Sequence, residues 1–570
     1  MRQGGLVRPD LKFSNQLTSL SELPGKSLAV ERPSDQRSAS VIGKNTFFTF
    51  LSLAVQVGTR FILIPVVIYH LGLGGYGIWS IIMATAGYMR FGSAGLNSAF
   101  QKYVAEATSN GDYETAKKLL STGSLCMLGF SLVCLIPLAF SAPALATASG
   151  VPRDFLPAAT SSIMLLAIIM IVSNFGAAFE AIVMGGHRID LTRKFRIVTT
   201  VGEAVGIVAV LHFGFGIFAM TVVMALSTVI YLLLCLAASR RVVPEILLSV
   251  RSFTPALLGE LTRFAFSYQA VNILEVLYGV LVPVIILKYF GAGASGVYAV
   301  VSRLVTAALI GQEALILPLL SSGTVMFASA AEERVRHFLA KSFKTAFAVT
   351  LLPLAFIAAF GGLMILAWTG QDGPDFGVVI LLSCIANFFS ALSRVQLILY
   401  RASGRALHDN IRQIFRLVAL VVLTMLGGRL GFRGVLVGLA FAELFGVIYL
   451  FFAMTSALKA FRPRLLIPDG IRLATAVAVM IFAGLLAQMT PAPPGIGERS
   501  EAGLKLVEVA IGCSVVFWPA ITATKSVSSE ERSALIYMLD SWIGKTRRRA
   551  PNPCTQGEAG SLGVEDKRIL

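Results

Sequence analysis

From residue 46 to residue 524 the chain is a succession of long apolar runs separated by short polar breaks. Fourteen runs can be drawn: 46–70, 76–101, 119–140, 157–184, 195–213, 216–238, 264–288, 296–320, 345–368, 376–400, 411–430, 434–454, 470–490 and 503–524. Each reaches the roughly 20 residues that a helix needs to cross about 30 Å of hydrocarbon. A lipid-facing segment must satisfy its own backbone hydrogen bonds, so runs of this length predict helices and not barrel strands.

The pattern repeats. The first break follows Pro65 and reads HLGLGGYGIW; VPVIILKYFGAGASGVY, from Val282 to Tyr298, repeats it about 219 residues later. Gly72, Gly74 and Gly77 align with Gly291, Gly293 and Gly296, and Trp79 with Tyr298, while Pro65 meets Pro283 after a slip of one residue. FRIV at 195–198 returns as FRLV at 415–418, and GFGI at 214–217 as GFRGV at 431–435. Turn signals at one shared offset predict two like-oriented six-helix halves, 46–238 and 264–455, joined by a linker at 239–263. An even number of spans per half makes the repeats parallel. Helices 13 and 14, within 456–524, are then an addition, and 1–45 and 525–570 are polar tails. The tail 1–45 is expected to be disordered, since it holds too little apolar surface to form a core.

The polar breaks alternate in charge. Those near 72–77, 212–216 and 372–376 carry no Lys or Arg, whereas GGHRIDLTRKFR, 239–263 and 321–344 are basic. The basic side is the cytoplasmic one, which places both termini inside. Arg429 and Arg433 are the exception, in an outer break. The net charge of +17, from 48 Lys and Arg against 31 Asp and Glu, is explained by these inner loops. It does not point to nucleic acid, because no basic patch with interleaved aromatics accompanies it. With 56% hydrophobic and 14% charged residues and a mean hydropathy of +0.77, the chain is an integral membrane protein. The six cysteines show no CxxC pattern and no cluster with histidine, so neither a disulfide framework nor a metal site is expected. No phosphate-binding GxxxxGK[ST] motif is present, which argues against ATP as a cofactor; a coupling Na⁺ or H⁺ is left open.

Charges inside apolar runs cost about 3 kcal/mol each near the bilayer centre and are functional candidates for that reason. Arg60 shares a face with Gln56 in run 1; Arg90, Asn97 and Gln101 share one in run 2. Run 7 carries Gln269, Asn272 and Glu275, run 8 carries Arg303 with Thr306 and Glu313 on one stripe, and run 10 carries Asn387, Arg394 and Gln396. Glu180, Glu203 and Glu443 lie in runs 4, 5 and 12. Asn and Gln in such helices often only join helices, and Glu275 with Arg303 could be a plain ion pair. The candidate substrate cavity comprises Arg60, Arg90, Arg303, Asn97, Gln101, Asn272, Glu275 and Arg394. A guanidinium keeps its charge and forks onto phosphate oxygens, so a cavity with arginine suits an anion. Pro65, Gly72, Gly77, Pro283, Gly291 and Gly296 are candidate hinge or turn positions.

Run 1 leading into LGLGGYGIW, followed by NSAFQKYVAEA and DYETAKKLL, resembles the polysaccharide transporters and O-antigen flippases of the multidrug/oligosaccharidyl-lipid/polysaccharide (MOP) exporter superfamily. The resemblance covers about 46–455 well and the last two spans loosely. It implies a V-shaped, MATE-like all-α bundle of two lobes that alternates between inward- and outward-open forms. It further implies a non-enzymatic flippase in the bacterial inner membrane. The cargo would be polyprenyl-pyrophosphate-linked oligosaccharide, and a polysaccharide polymerase and chain-length regulator would be neighbours. By helix position, Arg60, Arg90 and Arg303 match cavity arginines of related lipid-precursor flippases. The Arg-Asp pair of lipid II flippases is absent, because Phe61 follows Arg60. A cation-coupled drug or metabolite antiporter of the same fold is the alternative, and a membrane glycosyltransferase or polymerase a distant one.

Overall fold

The computed structural model describes residues 35–89, 100, 104–106, 110–246, 248–329, 332–403, 407–457, 467–491 and 497–524. Residues 1–34 and 525–570, Arg90, Asn97 and Gln101 lie outside them, whereas 35–45, expected to be disordered, are helical and open the first helix. Asn272 and Glu275 fall on a described helix but outside the described side chains.

The described residues form helices: α1 (Asp35–Met89), α2 (Tyr113–Phe140), short α3 (Ala142–Ala148), α4 (Leu156–Gly185), α5 (Ile189–His212), α6 (Ile217–Val242), α7 (Pro255–Ala308), α8 (Ile310–Ser329), α9 (Glu332–Thr369), α10 (Pro374–Ala402), α11 (Leu407–Gly428), α12 (Phe432–Ala457), α13 (Ile467–Gln488) and α14 (Glu498–Ala523). Among them, thirteen segments are long and apolar enough to cross a membrane. Two of these, in α1 and α7, are each bent into two arms, and α8 continues the second arm of α7, so the fourteen predicted runs are all represented. Large apolar side chains such as Phe47, Val198 and Phe452 stand exposed on the outer faces, as expected where lipid and not water is the neighbour.

The bends are sharper than the sequence suggests. Helical geometry fails at one residue in each arm pair, Gly72 (φ 71°, ψ 171°) and Gly291 (φ 83°, ψ 178°). Only glycine tolerates that backbone, having no Cβ. The chain reverses there and resumes a helix at once. Gly77 and Gly296, expected within the turn, are therefore helical, and the helix also runs through Pro65 and Pro283.

Gly77 and Gly296 serve the packing instead. A Cβ on Gly77 would stand 2.6 Å from the Gly296 amide nitrogen and 2.8 Å from the Ala292 carbonyl oxygen, and one on Gly74 would stand 3.3 Å from the Ala292 methyl. The second arms of α1 and α7 thus cross backbone to backbone, the close approach that small residues permit between membrane helices. This clasp joins the two lobes at the side of the glycine turns.

The repeat holds at the level of elements. Tyr113 and Glu332, which open α2 and α9, are 219 residues apart, as are Gly72 and Gly291. Two expectations are corrected. The basic stretch before run 9 is not a loop: α9 starts at Glu332, and Val335, Leu339, Phe343 and Ala346 bury one face at helical spacing. Run 8 is broken at Leu309, whose N–H bonds to the Thr306 carbonyl, so Arg303 and Glu313 lie on different helices and share no stripe. Buried polar pairs fasten neighbouring helices, Asn174 to Ser131 at 3.0 Å and Thr221 to Ser162 at 2.9 Å. Arg433, the outer basic exception, meets Asp375 at 3.0 Å.

Candidate functional site: a cationic cavity beside an apolar groove

Arg60 lies twelve residues before Gly72, and Arg303 twelve residues after Gly291. At 1.5 Å per residue both sit about 18 Å from their turns, at one depth near the middle of a bilayer. They face one cavity of about 570 Å³, formed by both arms of α1 with α4, α5, α6 and the second arm of α7. Tyr76 is a buried neighbour of Arg303.

The other cavity charges come from α5. Arg196, Thr200, Glu203 and Ile207 all line it, and their spacings of 4, 3 and 4 make one helical stripe. Arg196 stacks its guanidinium 3.6 Å above the Tyr231 ring and reaches Glu180 at 3.7 Å. Glu203 interacts electrostatically with Arg60 and Arg196. At the foot of α5, buried Asp190 gathers Lys44 at 3.0 Å, Arg188 at 3.2 Å and Lys194 at 3.9 Å, and its N–H donates to the Asn45 side chain. This ties the start of α1 to α5 and fixes the two cation-bearing helices against each other.

A second cavity of about 550 Å³ lies behind the first and is almost wholly apolar, between α1, α7, α9, α13 and α14. Phe61 and Leu304 line it, whereas their chain neighbours Arg60 and Arg303 line the polar cavity. Adjacent helical residues point about 100° apart, so two consecutive pairs form the partition between a cationic chamber and a greasy groove. Trp368 of α9 donates its ring N–H to the Phe61 carbonyl at 2.9 Å and packs at a tilt against the Phe61 ring, and Arg499 of α14 caps the end of α9 through the carbonyls of Ala367 and Trp368. The two added helices are thereby attached at the groove.

Of the sequence candidates, the structure brings Arg60 and Arg303 together. Arg394 is elsewhere, paired with Glu313 of α8. Arg196 and Glu203 were missing from the candidate cavity. Glu203 was legible only as an intramembrane charge. Arg196 was hidden in a basic break, although the FRIV/FRLV repeat pairs it with Arg416. That repeat mate is sealed. Arg416 stacks 3.6 Å above Tyr278, binds Glu443 Oε1 through Nη2 at 2.6 Å and Nε at 3.1 Å, and is buried; the Tyr278 hydroxyl donates to the same oxygen at 2.5 Å. Both lobes hold an Arg–Tyr–Glu cluster, open to a cavity in the first and closed in the second.

The family described as polysaccharide biosynthesis protein matches residues 42–322. The match spans just under half of the chain, its first lobe and the start of the second. No curated protein matches it. Among solved structures, the lipid II flippase MurJ in an inward closed conformation aligns with a TM-score of 0.64 at 14% identity, over 84% of this chain and 99% of that one. An inward-facing multidrug resistance MATE family transporter of the MOP superfamily aligns at 0.56 and 16% identity, over 72% of this chain and 95% of its own. A MOP superfamily transporter from Pyrococcus furiosus aligns at 0.53 and 16%, over 73% and 96%. At such identities the likeness is one of fold: the helices are arranged as in these MOP-superfamily structures, and the chain is a multi-pass membrane protein.

Proposed function

We propose that this chain flips polyprenyl-diphosphate-linked oligosaccharide units from the cytoplasmic to the periplasmic leaflet of a bacterial inner membrane, with both termini cytoplasmic, during surface polysaccharide biosynthesis. The observation that carries the reading is the partition at Arg60/Phe61 and Arg303/Leu304. A lipid diphosphate is an anion attached to a hydrocarbon tail, and these two pairs set a cationic chamber against an apolar groove. Guanidiniums replace water around the diphosphate, and the sugars occupy the hydrated chamber while the tail stays in apolar surroundings. Closure at the glycine clasp leaves the cavity to be entered from the opposite, basic side. Rocking the lobes apart at the clasp reverses the access without making or breaking a covalent bond. Three arginines against one carboxylate among the described lining residues disfavour a cationic drug as cargo.

The test is a lipid extract from cells lacking the chain, with mass spectrometry of prenyl-diphosphate sugars. A lipid-linked oligosaccharide is expected to accumulate, to be cleared by wild type, and to persist with Arg60→Ala or Arg303→Ala. Unchanged lipid precursors and unchanged surface polysaccharide would sink the proposal. Accumulation cleared equally by both variants would keep the function and discard the site.

A further inference from the structure

We propose that Glu203 is a proton-binding competitor for the anion: it offsets the cavity cations when the cavity is empty and takes up a proton from water when a diphosphate enters. The inference rests on the anionic cargo proposed above. Glu203 is the one carboxylate among the described residues lining the cavity. It stands on the Arg196 stripe of α5 and interacts with Arg60 of α1. The charged and titratable groups around it are Arg60 from α1, Arg196 from its own helix, Glu180 of α4 and Tyr231 of α6 held on Arg196, and Arg303 and Tyr76 across the cavity. Arg196 also reaches Glu180, and among the described lining residues Glu203 is the carboxylate that interacts with Arg60.

A dianion beside those guanidiniums sits beside an ionised carboxylate as well. Like charges at such range disfavour ionisation of the weaker acid. A diphosphate diester has no proton to take up near neutrality, whereas Glu203 does. Glu203 therefore gains one proton from bulk water as the anion binds and returns it when the anion leaves. Linkage makes the effect reciprocal, and protonating Glu203 raises anion affinity by the same factor. Each anion thus carries a proton into the cavity with it, which gives the binding step a pH dependence that arginines alone cannot supply.

The test uses the full chain in nanodiscs and a geranyl diphosphoryl monosaccharide, a diester whose charge is constant across the range. Binding is measured from pH 5.5 to pH 8.5, with calorimetry in two buffers of different ionisation enthalpy. The wild type is expected to lose affinity on raising the pH, by up to about tenfold per unit for one linked proton, and to show net proton uptake. Glu203→Gln, which keeps size and polarity, is expected to bind tightly across the range with no slope and no uptake. Glu203→Asp is expected to restore the slope. A slope that persists in Glu203→Gln overturns the inference, as does pH-independent binding by wild type that Arg60→Ala still abolishes; both leave the anion reading standing. No binding at any pH removes both.

Discussion

The sealed cluster of the second lobe supports a stability prediction with a defined size. Glu443 Oε1 accepts hydrogen bonds from Arg416 Nη2 at 2.6 Å, Arg416 Nε at 3.1 Å and the Tyr278 hydroxyl at 2.5 Å. The Arg416 side chain is 9% exposed and that of Glu443 4%. Glu443→Leu leaves a guanidinium buried with no counter-charge. Breaking one side of a buried pair costs about 3–5 kcal/mol, because the remaining charge is desolvated and uncompensated. The tyrosine also loses its acceptor, but the cation–ring stack persists, so the total should stay within that range. Replacing both charges by apolar groups of similar volume, Glu443→Leu with Arg416→Met, removes the penalty together with the attraction. That pair is expected within about 1 kcal/mol of wild type. The measurement is chemical unfolding of purified protein in mixed micelles, read by the fluorescence of its four tryptophans, for wild type, both single variants and the double. A coupling energy above about 2 kcal/mol is expected between the two sites. If Glu443→Leu costs less than about 1 kcal/mol, or the double variant is no more stable than that single, the cluster is not a desolvated ion pair and the reasoning fails.

Three further expectations follow from the same geometry. Gly296→Val should hold the lobes apart at the glycine turns, since a Cβ there meets the Leu73 backbone; a thiol probe placed at Tyr76 should then become accessible from the turn side, and unchanged accessibility would show that the clasp does not gate the cavity. Ala510→Trp, on the wall of the apolar groove, should weaken binding of a long-chain prenyl diphosphate at least tenfold while leaving its short-chain analogue unaffected; equal weakening of both would detach the groove from the tail. Asp190→Ala should release the cations Lys44, Arg188 and Lys194 and loosen the start of α1 from α5; faster amide exchange at residues 44–60 would show it, and unchanged protection would mean that apolar packing alone holds that end.

Much of the architecture was legible because membrane helices obey few rules. Run lengths located the spans, and the glycine spacing exposed the repeat. The turn is narrower than its glycines suggest, because Gly74, Gly77 and Gly296 look like turn residues and only the close approach of two helices reveals their other use. The helical start of α9 was missed because its lysines and arginines outweighed an apolar stripe of one residue per turn. Arg60 and Arg303 stood out as isolated charges within apolar runs. Arg196 did not, because a basic break hides any single member, and only three-dimensional packing separates it from Arg193 and Lys194. The different fates of Arg196 and Arg416 were not legible at all. The motif around them is the same, but their tyrosine and glutamate partners come from helices that do not correspond between the halves.

The clasp at Leu73, Gly74, Gly77, Ala292 and Gly296 contains no ionisable side chain. What holds that end shut is shape alone, a fit of bare backbones, and neither acidity nor salt has a handle on it. The opposite end is crowded with lysine and arginine, so the ionic strength of the adjoining solution and the anionic lipid of the nearby leaflet act there. As the two doors of the proposed flippase, these ends answer to different surroundings: one is a latch of shape, and the other is tuned by the medium that faces it.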